Sequence, residues 1–558
     1  MQKLLLTLSA LAALSLSARN YCDLPKVKLI HDGWSFQYTT YNPKVAPHKS
    51  EITTSFIRNN IALLENSVPG NGIVIRFVAP AANCEGKAVN INSIFGGRKI
   101  KYEYFKEDIE NIQNTEFKKF TDNFLGLTVS PGNVDWFDDA AWQTVCHNNN
   151  VMARIAKECK LVGLKLDIEE YHSNSMWQFK ADLGRTHAET MAKVRQRGRE
   201  FGKALFSAFP DAHLLCYWWL SLARHKNDRF QPERSEYMVA PFVNGMYDVM
   251  PPTITIHEGN EACAYRANNA IEFYHLSVDM HKVFPRFLDP VNWSKYRNQT
   301  KLAPGLYVDP HFATGNGFWK NQLQPDLKAL GGAKLLKRNL LQAMEVADTY
   351  VWMWHERHVW YPSNHPAKPI LISSVAPNLK DDMEVILNPE KHAKARIAAK
   401  KINNMVVNGD FAKMPEGKQQ IANFAHWFNG KGKFQRKEIN GNPVAAAIGV
   451  ESGCIYQSRP AKAGELFLVR CSASNLDPAK RNSASITVNW IEPNGERFAD
   501  YSNRIYHFRK LKDGKDTVEF TIAAPENAKR IELMLGVGNL GPEDEVYFDD
   551  LELYRIVD

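Results

Sequence analysis

Beyond its first eighteen positions the 558-residue chain has no apolar run near the ~20 residues that a membrane-spanning helix needs. It also lacks low-complexity tracts and internal repeats, so disorder and solenoid architectures are not expected. The eight cysteines, at 22, 84, 146, 159, 216, 263, 454 and 471, lie far apart without metal-ligand spacing, which argues against a zinc site. They leave two options: disulfides in an oxidising compartment, with Cys454 and Cys471 as the leading pair, or buried thiols. No Gly-x-Ser-x-Gly elbow appears, which disfavours a serine hydrolase. No Gly-x-Gly-x-x-Gly follows the first candidate strand, which removes the commonest dinucleotide fold. Charge is nearly balanced, 69 basic against 61 acidic residues for a net +8, and no dense basic block marks a nucleic-acid surface.

What is present begins with Met1-Gln2-Lys3 and a short apolar run from Leu4 to Leu16, with small residues at Ser15, Ser17 and Ala18. That is the pattern of a secretory signal peptide over residues 1–18, so a secreted or periplasmic protein is expected. A composition of 44% hydrophobic and 23% charged residues is that of a globular protein, and the length exceeds what one core organises. Two folded parts are expected, over 19–385 and 403–558, joined by a basic linker or helix over 386–402.

In the first part, short apolar runs alternate with helical periodicity. Eight candidate strands can be counted: Lys28 to Phe36, Gly72 to Val78, Asn123 to Val129, Val162 to Glu169, His213 to Leu220, Val249 to Ile256, Gly305 to Val308 and Thr349 to Trp354. Eight is the number that closes a parallel (β/α)8 TIM barrel, although an open doubly wound α/β sheet would share the alternation. Helices are predicted over 184–207, where Ala188, Met191, Val194, Phe201 and Leu205 share a stripe with Gly198, and over 334–346. From about residue 403 alternating runs separated by Gly, Pro and Asn turns predict an all-β sandwich.

The fourth strand reads Gly163-Leu164-Lys165-Leu166-Asp167-Ile168-Glu169-Glu170-Tyr171. Alternate residues of a strand face the same way, so Asp167 and Glu169 project together at its C-terminal end, where a barrel carries its chemistry. Crowded carboxylates repel, which favours a site over a solvated strand end. Other strand ends add His31-Asp32-Gly33-Trp34, Tyr217-Trp218-Trp219, His257-Glu258-Gly259-Asn260-Glu261, Asp309-Pro310-His311 and the stretch from Trp352 to Trp360. Acids interleaved with aromatic rings suit a sugar, whose C–H faces stack while its hydroxyls seek carboxylates.

The expected catalytic groups are Glu169 and Glu356, facing each other across the barrel, with Asp167 tuning the first and Glu261 as a competitor. Substrate contacts are expected from Trp34, Tyr171, Trp218, Trp219, Glu258, Asn260, Asp309, His311, Trp352, Trp354, His355 and Trp360. The expected reaction is hydrolysis of glycosidic bonds of a poly- or oligosaccharide, with no cofactor expected for catalysis. Two other readings are a non-catalytic glycan-binding barrel and a metal-dependent polysaccharide-active enzyme, the latter because His257, His311, His355 and His358 lie near acids.

The first part resembles secreted (β/α)8 glycoside hydrolases. Gly163 to Glu169 is similar to the fourth strand of chitinase-like enzymes, where the terminal Glu donates the proton; Lys165 replaces one acid of that pattern. A looser resemblance is to bacterial barrel hydrolases, carried by Asp167, Glu169 and Tyr171, by Gly259, Asn260 and Glu261, and by Val351, Trp352 and Glu356. The second part resembles jelly-roll carbohydrate-binding modules, on Val407-Asn408-Gly409-Asp410-Phe411 and Tyr547-Phe548-Asp549-Asp550-Leu551-Glu552-Leu553. That resemblance implies a structural calcium at Asp410 or Asp550 and sugar platforms among Trp427, Tyr456 and Trp490.

Overall fold

The computed structural model describes residues 19–22, 27–33, 52–89, 94–128, 133–169, 176–181, 184–225, 237–314, 323, 330–363, 369–417, 419–498, 504–509, 514–525 and 527–557. The segment taken for a signal peptide, Trp34 and Tyr171 lie outside them. No described helix is long and apolar enough to cross a membrane. The chain divides into two compact units, Pro25–Leu387 and Asn388–Asp558, the second also holding Met1–Leu24.

The first unit is a parallel α/β barrel. Its strands are β1 (Lys28–Gly33), β2 (Gly72–Ile75), β3 (Phe124–Thr128), β4 (Gly163–Asp167), β5 (His213–Cys216), β6 (Thr255–Glu258), β7 (Thr300–Leu302), β8 (Gly305–Tyr307) and β9 (Tyr350–His355). They hydrogen-bond in the order β7-β6-β5-β4-β3-β2-β1-β9-β8, each pair parallel. The two strands at the ends of that order are one stretch of chain, interrupted only by Ala303 and Pro304. The Ala303 N–H bonds Glu258 O on β6 at 2.9 Å and the Trp352 N–H bonds Pro304 O at 3.2 Å on the other side, so the ring closes through this kinked strand. Pro304 has no N–H for a ladder and interrupts this stretch, of which the predicted seventh strand covers only the part from Gly305 onward.

Seven of the eight predicted strands are found close to their predicted bounds; the sixth is displaced. The residues assigned to its start end a buried helix, Val239–Val249, and the strand begins only at Thr255. Pro251-Pro252 explains the shift, since two residues without N–H donors cannot sit inside a central strand.

The helix predicted over 184–207 forms as His187–Ala208, opened by a reciprocal cap in which Thr186 and Glu189 bond each other's backbone. Gly198 has a reason beyond the stripe: a Cβ there would lie 2.0 Å from Phe242 O, and one on Gly245 would lie 2.0 Å from Arg195 O. Helices His187–Ala208 and Val239–Val249 thus cross backbone against backbone. Helix Gly332–Val346 covers β9.

The second unit is a sandwich of two sheets. One pairs Ala425–Asn429, Ser452–Pro460, Arg530–Gly538, Ser483–Ile491 and Arg504–His507 in that order, all antiparallel. The other holds six strands, and its edge strand Arg19–Cys22 pairs parallel with Lys515–Ala523. Phe467, Trp490, Phe520 and Phe548 fill the space between. The stretch read as linker or helix forms helix Pro389–Ala398, packed on the six-stranded sheet. The two end motifs meet: the Leu551 N–H bonds Gly409 O at 2.9 Å, and a Cβ on Gly409 would lie 2.0 Å from Leu551 O. The expected Cys454–Cys471 disulfide is not formed. Both are free buried thiols on strands of different sheets, and Cys84, Cys146, Cys159, Cys216 and Cys263 are free as well.

Candidate functional site

Alternation along the strands sends Asp32, Arg76, Asp167 and Tyr217 into one cluster at the C-terminal mouth of the barrel. Asp32, at the end of β1, is fully buried and grips the Arg76 guanidinium with both oxygens. The Tyr217 hydroxyl donates to Asp32 Oδ2. Burial alone would protonate Asp32, but the charges of Arg76 and Lys165 and these hydrogen bonds hold it below the usual carboxylate range. Tyr217 lies flat on Trp352, ring centroids 3.5 Å apart and planes within 4°. Its other neighbours are the Lys165 ammonium, 4.2 Å from the ring centroid, and Trp354, edge-on at 6.4 Å. Gly305 makes room for Trp352, since a Cβ there would lie 2.4 Å from the indole.

On β4, Lys165 Nζ sits 3.1 Å from Asp167 Oδ2, and Asp167 Oδ1 accepts the Glu169 N–H at 3.0 Å. Glu169 is half-buried. Glu261 opens the short helix that follows β6, and its N–H bonds Tyr217 O at 3.2 Å. Gly259 permits this approach, because a Cβ would meet Tyr217 O at 2.7 Å. Burial pushes the Glu261 carboxyl well above its ordinary value, and the negative charges of Glu169 and then Asp167 push it further, with Lys165 opposing. Glu169 and Glu261 follow strands separated by β5 alone.

Glu356 belongs to the other side. Three strands separate β4 from β9 in either direction around the ring when the kinked strand is counted once. Glu356 Oε1 accepts the Trp354 indole N–H at 3.3 Å.

Several residues expected to contact substrate are instead consumed in support. Glu258 is fully buried and its oxygens accept from the N–H groups of Leu220, Ser221 and Asn260 and the hydroxyl of Ser221. It ties the segments after β5 and β6 together, and burial pushes it up to about 7. Asp309, also fully buried, takes the N–H groups of Glu356 and Arg357 at 2.8 and 2.7 Å and His358 Nδ1 at 3.1 Å, fixing the turn after β9. Asn260 sits in the left-handed region at φ 45° and reaches Asp279 at 3.4 Å. His311 spends both ring nitrogens on Tyr307 O and the Asn339 amide, at 2.8 and 3.1 Å. His355 Nε2 lies 2.8 Å from His31 Nδ1, and Trp360 stands edge-on to both rings. Trp218 and Trp219 are buried, Trp219 completely, and Trp352 lies beneath Tyr217. Of the expected aromatic contacts, Trp354 keeps partial exposure.

Sequence reasoning passed over Asp32, Arg76, Lys165 and Tyr217 as site residues. A usable signal was present: an arginine in Gly72-Ile73-Val74-Ile75-Arg76-Phe77 and a lysine in Gly163-Leu164-Lys165-Leu166 interrupt apolar strands, and a charge inside a strand needs a partner.

Metal chemistry finds no donor set here, since no group of three or more His, Cys, Asp and Glu side chains is arranged to hold an ion among the described residues. His257 lies inside the barrel away from the mouth, 2.9 Å from His213 and packed on Tyr350. In the sandwich, Asp410 is exposed, while Asp550 shares the Lys515 ammonium with Asp549 at 2.7 and 2.8 Å. An ammonium already compensates the carboxylates that a calcium ion would use. Trp490 is core, Tyr456 is half-buried, and Trp427 is 58% exposed on the edge strand of the five-stranded sheet. The register places Cys454, Gly536, Ser485 and His507 across the sheet from Trp427, a row of mostly small side chains on the same face.

No protein-family model matches the chain, and no curated protein does. Among solved structures it is similar to a family-4 carbohydrate-binding module at 17% identity, over 27% of this chain and 99% of the module, with a TM-score of 0.21. It is similar to an arabinose-bound α-L-arabinofuranosidase of family GH51 at 11% identity, over 27% of this chain and 26% of the enzyme, with a TM-score of 0.22. A third likeness is to the CBM22-1 and GH10 modules of the Clostridium thermocellum endo-1,4-β-D-xylanase 10B with xylohexaose, at 13% identity, 28% of each chain and a TM-score of 0.20. The chain thus spans about a quarter of the length of the two enzymes.

Proposed function

We propose that the barrel hydrolyses glycosidic bonds, with Glu261 as the proton donor and Glu169 as the ionised partner that attacks the sugar or activates water. What supports this reading is placement: Glu169 and Glu261 follow strands separated by β5 alone, and burial together with the charge of Glu169 raises the Glu261 carboxyl well above its ordinary value. A glycosidase divides the work, one carboxyl protonating the leaving oxygen while the other stays negative. Asp167 orients Glu169 through its N–H. Trp354 and Glu356, across the mouth, bind the sugar rather than break the bond.

Wild-type protein is expected to release reducing ends from at least one member of a panel of neutral, amino and sulfated glycans. Glu169→Gln and Glu261→Gln should each lower the rate by at least ~100-fold while folding normally, and Glu356→Gln should weaken KM more than kcat. Full activity in either of the first two variants would refute the assignment. Saturable glycan binding by wild type with no reducing ends released would make the barrel a lectin-like binder. The exposed Trp427 face of the sandwich holds the same polysaccharide, an aromatic platform beside a floor of small residues. Trp427→Ala should cut retention on insoluble glycan without changing turnover of soluble oligosaccharide.

A further inference from the structure

At the barrel mouth, Arg76 Nε and Thr128 Oγ1 are buried and have no hydrogen-bond partner among the described residues. Arg76 is 5% exposed and Thr128 7%. A buried polar atom left unpaired costs stability, and native folds keep few of them. These two lie on neighbouring strands. The pairing of β2 with β3 sets Val74 against Phe124, which brings Arg76 beside Gly126. A Cβ on Gly126 would lie 3.1 Å from Arg76 Cγ and 3.4 Å from Nε, so the glycine clears the space that Nε faces. Thr128 is the next residue of β3 on that face and its last, where the barrel opens, and the register sets it beside Asp167. The face lines the interior, since Arg76 reaches Asp32 on β1 and Asp32 reaches Tyr217 on the far side of the ring. Both η nitrogens of Arg76 are spent on Asp32, so its charge is answered and the Nε–H remains to give. Thr128 adds a hydroxyl that both donates and accepts. This pair suits an uncharged hydroxyl rather than a carboxylate or sulfate, which would ask for the charge that Asp32 has taken.

We infer that Arg76 Nε and Thr128 Oγ1 form a subsite for one uncharged hydroxyl group of a sugar, their hydrogen bonds being completed only when the sugar enters the mouth. The inference rests on the sugar-binding part of the reading above and adds to it a specificity determinant on β2 and β3. The free protein carries the cost of the open bonds, and the sugar that supplies the missing oxygen recovers it.

The test is Thr128→Val in the full chain, which keeps the shape of the side chain and removes its hydroxyl. Without ligand the barrel Tm should rise by about 2–6 °C, because valine leaves nothing unpaired. An unchanged or lower Tm means that the hydroxyl is already bonded, to protein or to a trapped water, and overturns the inference. On whichever panel glycan wild type cleaves, kcat/KM should fall at least ~10-fold in the variant. Monodeoxy and monosulfated forms of that glycan then locate the hydroxyl. At one position, deoxygenation should cost wild type at least ~10-fold and Thr128→Val less than about 2-fold, and sulfate there should stop turnover by wild type. A variant as active as wild type, equal losses in both proteins at every position, or undiminished cleavage of the sulfated form each overturn the inference. Should wild type bind a glycan without cleaving it, the hydrolase reading falls alone, and the same ratios read as Kd decide the subsite. A protein that neither binds nor cleaves any sugar of the panel sinks both.

Discussion

Gly305→Ala adds one methyl group where the structure has no space. The new carbon would lie 2.4, 2.5 and 2.8 Å from three atoms of the Trp352 indole, well inside van der Waals contact. Trp352 cannot yield easily, because it is fully buried and Tyr217 lies on it at 3.5 Å. Overpacking of this kind costs about 1–3 kcal/mol, and a clash blocked on the far side belongs near the top of that range. Stiffening of the unfolded chain opposes it by roughly 0.4–1 kcal/mol, leaving a net loss of about 2 kcal/mol. At ~2–4 °C per kcal/mol for a domain of a few hundred residues, the barrel transition should fall by about 4–8 °C in calorimetry. Placing Gly305→Ala in a Trp352→Leu background, which removes the indole, should cancel most of the loss. The same Tm change in both backgrounds would falsify the claim that the indole is what the glycine accommodates.

Arg76→Met removes one partner of a buried ion pair and should cost about 3–5 kcal/mol near neutral pH. In wild type the depressed Asp32 carboxyl adds stability above its unfolded value that is lost as pH falls through its folded one. In the variant burial raises it instead, so the deficit measured by urea unfolding should shrink from pH 8 to pH 5; a pH-independent deficit contradicts the pairing. The barrel should also lose stability on acidification. Burial lowers His31 to about 3 and His311 to about 4, and takes His257 and His355 well down, so all four rings stay neutral in the fold while the unfolded chain protonates them below about 6.5. For His311 alone the loss is up to roughly 3 kcal/mol by pH 4, at about 1.4 kcal/mol per pH unit. Equal urea midpoints at pH 7 and 4.5 would contradict it. Millimolar calcium should leave the sandwich Tm unchanged because Lys515 already serves Asp549 and Asp550; a rise of several degrees would show the ammonium displaced.

The barrel was legible because its strands are buried on both faces and read as apolar runs, and because Asp167, Glu169 and Glu261 follow such runs. Two kinds of information were not legible. Proline decided details that composition blurred: Pro251-Pro252 delayed β6, and Pro304 turned the seventh strand into the seam of the ring. Neighbours are a three-dimensional fact, so spacing could not reveal that the charge of Glu169 raises the Glu261 carboxyl while Glu356 follows a strand on the opposite side of the ring, nor that Glu258 and Asp309 spend their oxygens on backbone. Counting aromatics misled for a physical reason: Trp218, Trp219 and Trp352 are large apolar bodies, and a barrel of this size needs them inside.

The pairing of β1 with β9 joins Lys28 to Tyr350 and Gly33 to His355, neighbours in the ring but more than 300 residues apart in the chain. During synthesis at ~5–20 residues per second, the edge of β1 waits on the order of 15–60 seconds for its partner to leave the ribosome. Over that interval the nascent barrel carries an open edge able to recruit a stranger's strand, and Asp32 has Arg76 for company long before the wall beside it exists. Products truncated before residue 350 therefore have every reason to aggregate, and a holding chaperone would find its task concentrated in that window.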